Sequence, residues 1–264
     1  PNLHTFSLGF KDEPYYDETK YANLVAKKIQ SKHTVFSLSN DDLLEHFEEA
    51  LDYFDEPFAD SSALNMFILS KYTKKHITVA LSGDGADELF SGYNKHNALY
   101  QASQKNLKNS LIKTFGGLAG FLPQSRDGKI ANTARQILKY QKGLKLSDNE
   151  RYMEWARFMD KNDSKQLVIG ASLIEDRPFS FEKNTIDDFN DYLFYDFNLV
   201  LPNDMLRKVD AMSMANSLEV RSPFLDYRLV EFVFSLPSSF KIDSQSRKKI
   251  LKDTFRDDLP TEIF

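Results

Sequence analysis

The segment Leu81–Tyr93, LSGDGADELFSGY, contains the densest group of residues suited to chemistry and holds three of the ten glycines of the chain. It follows a short apolar run and precedes a helical pattern, so its turn would present backbone N–H groups where anions bind well. A phosphate or pyrophosphate group suits that geometry. Asp84 and Asp87 stand three residues apart, so one could hold Mg²⁺ while the other handles a proton or contacts substrate.

The same letters have a purely structural interpretation. A turn between a strand and a helix often carries acidic residues that only cap the helix. The string SGDG on its own leaves both interpretations open.

A second stretch, from Leu201 to Asp226, mixes apolar and charged residues closely. A buried charge must be paired or coordinated. The charged residues of this stretch could therefore form a buried ion network that orients a charged substrate, or structural salt bridges between the helical half and the sheet. They are Lys208, Asp210, Glu219 and Arg221.

Alternating strands and helices must position these residues. The sequence predicts a strand at His4–Phe10, a second at Thr34–Leu38 and a buried parallel strand at Ile77–Leu81, with helices between them. Ser39 and Asn40 are candidate N-caps for one of those helices. The pattern predicts an α/β fold with a parallel sheet and helices on both faces, which binds ligands at the carboxyl ends of its strands.

Beyond this α/β part, about residues 1–92, the pattern of about residues 93–264 is mainly helical. Tyr152, Trp155 and Phe158 recur at helical spacing and are expected in a core. No linker separates the two parts, so we expect a single domain over residues 1–264.

Composition excludes several classes of protein. The 264 residues carry a net charge of -5 and no long basic run, so we expect no nucleic-acid partner. Cysteine is absent from the sequence, which excludes disulfide frameworks, thiolate zinc sites and a cysteine nucleophile. No apolar stretch reaches the roughly 18 residues of a spanning helix, so we expect no membrane partner and a cytoplasmic location.

Together these residues resemble a known family. SGDGADELFSGY, preceded by DEPFADSSAL and followed by LRKVDAMSMANSLEVRSPFLD, is similar to the synthetase domain of glutamine-hydrolysing asparagine synthetases and their close relatives. The resemblance runs from the HTFSLGF strand to the LPTEIF end. Two long motifs in the correct order favour the functional interpretation of the segment from Ser82 to Tyr93.

The resemblance implies an N-type ATP pyrophosphatase fold, like that of the adenine-nucleotide alpha-hydrolases. It also implies that ATP is cleaved to AMP and pyrophosphate. In the family the side-chain carboxylate of aspartate attacks the α-phosphorus, and ammonia from a glutaminase domain converts the acyl-adenylate to asparagine. The resemblance implies that the small molecules are ATP, Mg²⁺, aspartate and ammonia. It is also compatible with a homodimer.

The family's roles carry over to particular positions of this chain. Ser82 and Gly83 match positions that contact the nucleotide, and Leu8 matches the strand position whose backbone meets adenine. Asp87 matches a Mg²⁺ ligand. Asp84 stands where asparagine synthetases often carry Glu as a proposed general base, and Asp is common there among relatives.

Three parts of the family pattern lie outside this sequence. They are a pyrophosphate loop of form SGGxDSS before the first strand, a catalytic lysine in a loop of form RxKxGF after the LPxEI segment, and the glutaminase domain. Lys248 and Lys249 do not match the lysine's position. We therefore expect the chain as given to be unable to hydrolyse glutamine, and badly impaired or inactive as a synthetase on its own.

Two other functions fit the same letters. A relative could activate another acceptor, such as a surface sugar or a peptide carboxylate, because motif letters do not encode pocket shape. A nucleotide-binding module without catalysis is the alternative from a different class.

Overall fold

The computed structural model describes residues 3–104, 106–125, 128–157, 166 and 188–264. The contacts within the chain divide it into two compact units. The first unit comprises Pro1–Phe90, Asp196–Leu236 and Lys248–Phe264, and the second comprises Ser91–Tyr195 and Pro237–Arg247. The chain therefore leaves the first unit and returns to it twice, which a single border near residue 92 does not anticipate.

The described strands are short, parallel and confined to the first unit. β1 (His4–Phe10) pairs with β2 (Lys32–Leu38), and β3 (Val79–Leu81) pairs with β4 (Glu219–Arg221). The prediction of an α/β fold with parallel strands is confirmed. Within the described residues, however, the strands form two separate two-stranded sheets and not one.

Helices make up most of both units. Those of the first unit are α1 (Thr19–Lys28), α2 (Asn40–Glu45), α3 (Phe47–Leu51), α4 (Ser62–Thr73) and α5 (Ala86–Phe90). Those of the second are α6 (Asn94–Ser103), α7 (Leu107–Phe115), α8 (Lys129–Leu144), α9 (Asp148–Ala156) and α10 (Phe189–Tyr195). The first unit resumes with a π-helical segment, Asp196–Leu206, then α11 (Arg207–Met214), α12 (Tyr227–Ser235) and α13 (Lys249–Thr254). 3₁₀ segments occupy Gly116–Phe121, Pro223–Leu225, Ser238–Phe240 and Thr261–Ile263.

Helices cover both faces of the β1–β2 sheet, as predicted. The Phe6 ring lies 5.5 Å from the His76 ring, just beyond the end of α4. On the opposite face, a Cβ added to Gly9 would meet Thr19 at the start of α1. Successive residues of a strand point to opposite faces, so α4 and α1 lie on different sides of this sheet.

The packing of α4 against α11 connects the two sheets, because α4 also contacts β1 while α11 contacts β4. Their shared core holds Phe67 and Ile68 from α4, Met212 from α11, and Leu38 from the end of β2. These apolar side chains are almost completely withdrawn from water. The α4–α11 pair therefore fixes where the carboxyl ends of the strands stand.

The prediction that Ile77–Leu81 forms a buried strand is wrong in its burial. The strand exists as β3 and is parallel, but Val79 is exposed and Leu81 is 72% exposed. A continuous apolar run is typical of a strand that is covered on both faces. In the described residues β3 instead pairs on one side only, with β4.

Local signals are confirmed where the contacts are short in sequence. The Ser39 hydroxyl accepts a hydrogen bond from the Asp42 N–H, and the Asp42 carboxylate accepts one from the Ser39 N–H, which forms a capping box at the start of α2. The backbone and hydroxyl hydrogen bonds from Ser39 lower the pKa of Asp42. His46 is both the C-cap of α2 and the N-cap of α3.

The second unit has an aromatic core, as predicted from the helical spacing. Tyr152 and Trp155 are buried among Leu99, Tyr192 and Tyr195. The Trp155 indole N–H donates to the Lys139 carbonyl at 3.0 Å. Phe158, the third residue of the predicted set, lies outside the described residues.

Candidate active site

The two motif stretches meet at the carboxyl ends of β3 and β4. The Ser82 N–H donates to the Arg221 carbonyl at 2.9 Å, which extends the strand pairing by one residue. The Ser82 and Ser222 hydroxyl oxygens are then 3.0 Å apart. Parallel α/β sheets bind ligands at this edge, so both stretches contribute to one candidate site.

The glycines of the turn have different tasks. Gly85 has a φ of +88°, and a Cβ there would overlap the side chain of Leu225. Gly83 faces open space, because a Cβ there would meet nothing within 4 Å. Gly85 therefore lets the turn pack against the segment after β4, while Gly83 leaves room in front of the turn.

We expect the Gly85→Ala and Gly83→Ala variants to differ sharply in stability. Gly85→Ala combines an unfavourable positive φ with overpacking against Leu225, so it should lower the free energy of unfolding by about 2–4 kcal/mol. Gly83→Ala meets no neighbour and should cost less than about 1 kcal/mol. Urea unfolding of both variants beside the parent measures the difference, and equal destabilisation would contradict this account of the turn.

A lysine that the sequence analysis set aside lies beside the predicted metal ligand. Lys248 Nζ stands 3.1 Å from Asp87 Oδ1. Lys248 has a left-handed backbone with φ 53°, and its N–H donates to the Phe90 carbonyl at the end of α5. The start of α13 thus brings a positive charge to the turn. No local sequence pattern predicts this contact.

The carboxylates near the turn suit a site that shares its metal with a bound ligand. Asp84 is half-buried in the turn, and Asp87 follows on α5. In the described parts of the chain, no three His, Cys, Asp or Glu side chains converge as a metal cage would require. Mg²⁺ commonly binds one or two protein carboxylates together with substrate phosphates, and Asp87 fits that arrangement.

Leu8 lies on β1, in a different sheet from Ser82. It is partly buried and packs against the core formed by α4 and α11. The structure therefore places Leu8 in the same unit as the turn, on the other strand pair.

The four charged residues do not form one buried ion network, which is one of the two interpretations that the sequence leaves open. Glu219 and Arg221 pair with each other on the exposed surface of β4, and Asp210 is exposed on α11. Residues two apart on a strand share a face, and here that face is in water. Lys208 alone is largely buried, and its partner lies far away in the sequence.

Lys208 pairs with Asp60, within the DEPFADSSAL segment. Lys208 Nζ donates to Asp60 Oδ2 at 2.6 Å and to the Ser62 hydroxyl at 2.8 Å. Ser62 also donates its N–H and hydroxyl to the Asp60 carboxylate. Burial raises the pKa of Asp60, but the hydrogen bonds from Lys208 and Ser62 outweigh burial and lower it below its ordinary value.

Asp226, at the end of the second stretch, begins α12 and accepts a hydrogen bond from the Arg228 N–H at 3.0 Å. The hydrogen bonds from the Arg228 side chain and N–H lower the pKa of Asp226 to about 2. The carboxylate therefore stays ionised as an N-cap, which holds the segment against which the turn packs.

Comparison with known proteins shows which family the chain belongs to. The family model of asparagine synthase matches residues 1–264. The chain is 29% identical over 269 residues to glutamine-hydrolysing asparagine synthetase 1 of Bacillus subtilis, covering 100% of this chain and 41% of that protein. It is 26% identical over 270 residues to asparagine synthetase 3 of the same organism, covering 99% of this chain and 38% of the relative.

The chain therefore spans about two fifths of the length of these curated relatives. One family motif forms the turn after β3, and the other forms the segment after β4. The two motifs lie together in the described structure. The match along residues 1–264 means that the chain belongs to the asparagine synthase family.

Proposed function

We propose that the protein containing this chain forms asparagine from aspartate in an ATP-dependent reaction. The side-chain carboxylate of aspartate attacks the α-phosphorus of ATP, so one P–O bond forms as the bond to pyrophosphate breaks. Ammonia then attacks the carbonyl carbon of the aspartyl-adenylate, and AMP leaves as the amide forms. We propose that a glutaminase domain elsewhere in the full-length protein supplies the ammonia, as in the relatives named glutamine-hydrolysing.

The meeting of the two motifs at one strand edge carries this proposal. Ser82 and Ser222 stand together where β3 and β4 end, in a chain that matches the family along its whole length. Ligand binding at this edge agrees with an N-type ATP pyrophosphatase fold, which we propose for the first unit.

Each predicted site residue has a place in the proposed reaction. Ser82 and Gly83 contact the nucleotide, and the open space in front of Gly83 admits it. The backbone of Leu8 contacts adenine from the other strand pair. Asp84 accepts a proton from the attacking ammonia, since a half-buried carboxylate in the turn can act as a general base.

Asp87 is the residue that would hold Mg²⁺, together with the phosphates of ATP. The metal, when bound, offsets the negative charge that builds up as a carboxylate approaches a phosphate. Lys248 already places one positive charge 3.1 Å from the Asp87 carboxylate.

The test uses the full-length protein with Mg-ATP, ammonium and aspartate labelled with ¹⁸O in its side-chain carboxylate. We expect asparagine, pyrophosphate and AMP in equal amounts, with one ¹⁸O atom in each AMP. The label reaches AMP because the aspartate oxygen that attacks phosphorus leaves with it.

Other outcomes would contradict the proposal in distinguishable ways. ADP and phosphate as products would exclude adenylation. AMP formed with another carboxylate, but not with aspartate, would retain the adenylation chemistry and assign a different acceptor. Nucleotide binding with no turnover of any acceptor would favour a non-catalytic module.

A further inference from the structure

Within the second unit, α7, the 3₁₀ segment Gly116–Phe121 and α8 pack against one another. They present a group of large apolar side chains to water. We call this group the α7–α8 surface; it comprises Leu107, Leu111, Phe115, Leu118, Phe121, Leu122 and Ile130. Leu107 is 84% exposed and Phe121 is 88% exposed. Exposed apolar groups of this extent mark interaction sites more often than isolated exposed residues do.

The apolar face of α7 points away from its own unit. Leu107, Leu111 and Phe115 follow one another at intervals of four residues, so they lie on one side of the helix. All three are exposed, whereas Ile112 is only partly exposed and lies near Gly116. If α7 packed only against the core of this unit, its apolar side would face that core and its polar side would face water.

The surface also contains an open apolar cavity of about 260 Å³. It lies between the 3₁₀ segment and the start of α8, and its lining includes Ala119, Leu122, Lys129, Ile130 and Ile137. The cavity therefore has room for an apolar group of a binding partner beside Lys129.

The charge of this part of the chain is opposite to that of the whole. Residues 106–125 and 128–147 contain no Asp or Glu, and Arg126 and Asp127 stand between these two ranges, although the chain carries a net charge of -5. Their basic residues are Lys108, Lys113, Lys129, Arg135, Lys139, Lys142 and Lys145. Lys142 is paired with Glu154 of α9, whereas Lys108 and Lys129 lie next to the exposed leucine and isoleucine side chains.

We propose that the α7–α8 surface binds an anionic phospholipid membrane, with its apolar side chains in the headgroup boundary and its lysines at the lipid phosphates. Basic amphipathic helices with Leu and Phe on the apolar side bind membranes in this way. This kind of contact needs no spanning helix, and within the described ranges none is long and apolar enough to span. The proposal departs from the expectation of no membrane partner, which was based on the lack of a spanning segment in the sequence.

Lipid fits this surface better than protein or nucleic acid does. Lysine is depleted in protein–protein interfaces, where arginine is enriched, yet six of the seven basic residues named above are lysines. Single-stranded nucleic acid is bound by successive aromatic side chains in a basic groove, whereas five of the seven apolar side chains of this surface are aliphatic and only Phe115 and Phe121 are aromatic. Aliphatic side chains bordered by lysines match an anionic bilayer.

The experiment is flotation of the full-length protein with vesicles of two compositions, phosphatidylcholine alone and phosphatidylcholine with one quarter phosphatidylglycerol. We expect binding to the anionic vesicles only, and a decrease in binding as salt is raised. Replacing two lysines, Lys108→Gln with Lys129→Gln, should lower the partition coefficient about thirtyfold. Leu111→Ser with Phe121→Ser should abolish binding.

Matched controls come from the first unit. Leu44 is an exposed leucine on α2, and Lys27 and Lys28 are exposed lysines on α1. Leu44→Ser and Lys27→Gln with Lys28→Gln should leave vesicle binding unchanged. The far-ultraviolet circular dichroism of every variant should match that of the parent.

Several results would overturn the proposal. Binding to neither kind of vesicle would overturn it. Equal effects of the control variants and the surface variants on vesicle binding would also overturn it. A fall in the sedimenting mass of the protein after Leu111→Ser, without lipid, would assign the surface to a second copy. Capture of a homopolymer RNA that Lys108→Gln with Lys129→Gln abolishes, while vesicle binding persists, would assign it to nucleic acid.

Discussion

Replacing Asp84 by asparagine in the full-length protein is expected to lower the rate of asparagine formation about 10²- to 10⁴-fold, the usual contribution of a general base. Asparagine keeps the size of the side chain and so preserves the packing of the turn. It cannot take the proton that ammonia must lose when it becomes an amide. The rate of amide formation with saturating ATP, aspartate and ammonium measures the effect.

A second measurement separates this role from nucleotide binding. Aspartate-dependent exchange of labelled pyrophosphate into ATP reports the first half of the reaction, in which Asp84 takes no part. We expect Asp84→Asn to retain this exchange within a few fold. Asp87→Asn should lose both exchange and amide formation, because it removes the proposed metal ligand and the partner of Lys248.

Asp257→Asn is a suitable control, since Asp257 is an exposed carboxylate near the end of the same unit. It should leave both rates unchanged. Equal loss of exchange and amide formation in Asp84→Asn would assign Asp84 to nucleotide binding instead. Full activity of that variant would remove it from the reaction.

Signals that act over a few residues could be predicted from the sequence. The strand at His4–Phe10 was placed at its observed bounds, and the second strand was found two residues short of its observed start. Of the two candidate caps, Ser39 and Asn40, the structure has Ser39 as the N-cap, and its capping box with Asp42 involves contacts only three residues apart. Such features depend on local geometry, which residue type and spacing largely determine.

Contacts between distant segments could not be predicted in the same way. Lys248 reaches Asp87 because α13 packs beside α5, and Lys208 reaches Asp60 because α11 packs on α4. Each pairing depends on how helices pack, whereas charge spacing within one stretch left open a buried network around Lys208 that does not form. Composition likewise described an acidic chain and gave no indication of a basic α7–α8 surface, since an average over the whole sequence conceals it.

Asp60→Asn is expected to lower the free energy of unfolding by about 3 kcal/mol at neutral pH. The side chains of Asp60 and Lys208 are only 16% and 12% exposed, so removing one charge leaves the other buried without its counterion. Lys208→Met in the same chain should recover much of the loss, because a buried charge is then no longer unpaired. Urea unfolding of the two single variants and the double variant measures this coupling.

The pH dependence of this effect has a definite sign. The pKa of Asp60 is lower in the folded chain than its ordinary value of 3.8, so the pair stabilises the fold fully above that value. This stabilisation is lost as the pH falls through the folded pKa, where the carboxylate becomes protonated. The difference between the parent and Asp60→Asn should therefore shrink as the pH falls below about 4.

Glu219→Gln provides the matched control, since the exposed pair of Glu219 and Arg221 should contribute less than about 1 kcal/mol. If Asp60→Asn and Glu219→Gln destabilised the protein equally, the Lys208–Asp60 contact would not fasten α11 to α4. The difference in the free energy of unfolding between the parent and Asp60→Asn should not grow as the pH falls; growth would mean that the pH dependence has the opposite sign. Either result would mean that the Lys208–Asp60 pair does not stabilise the fold in this way.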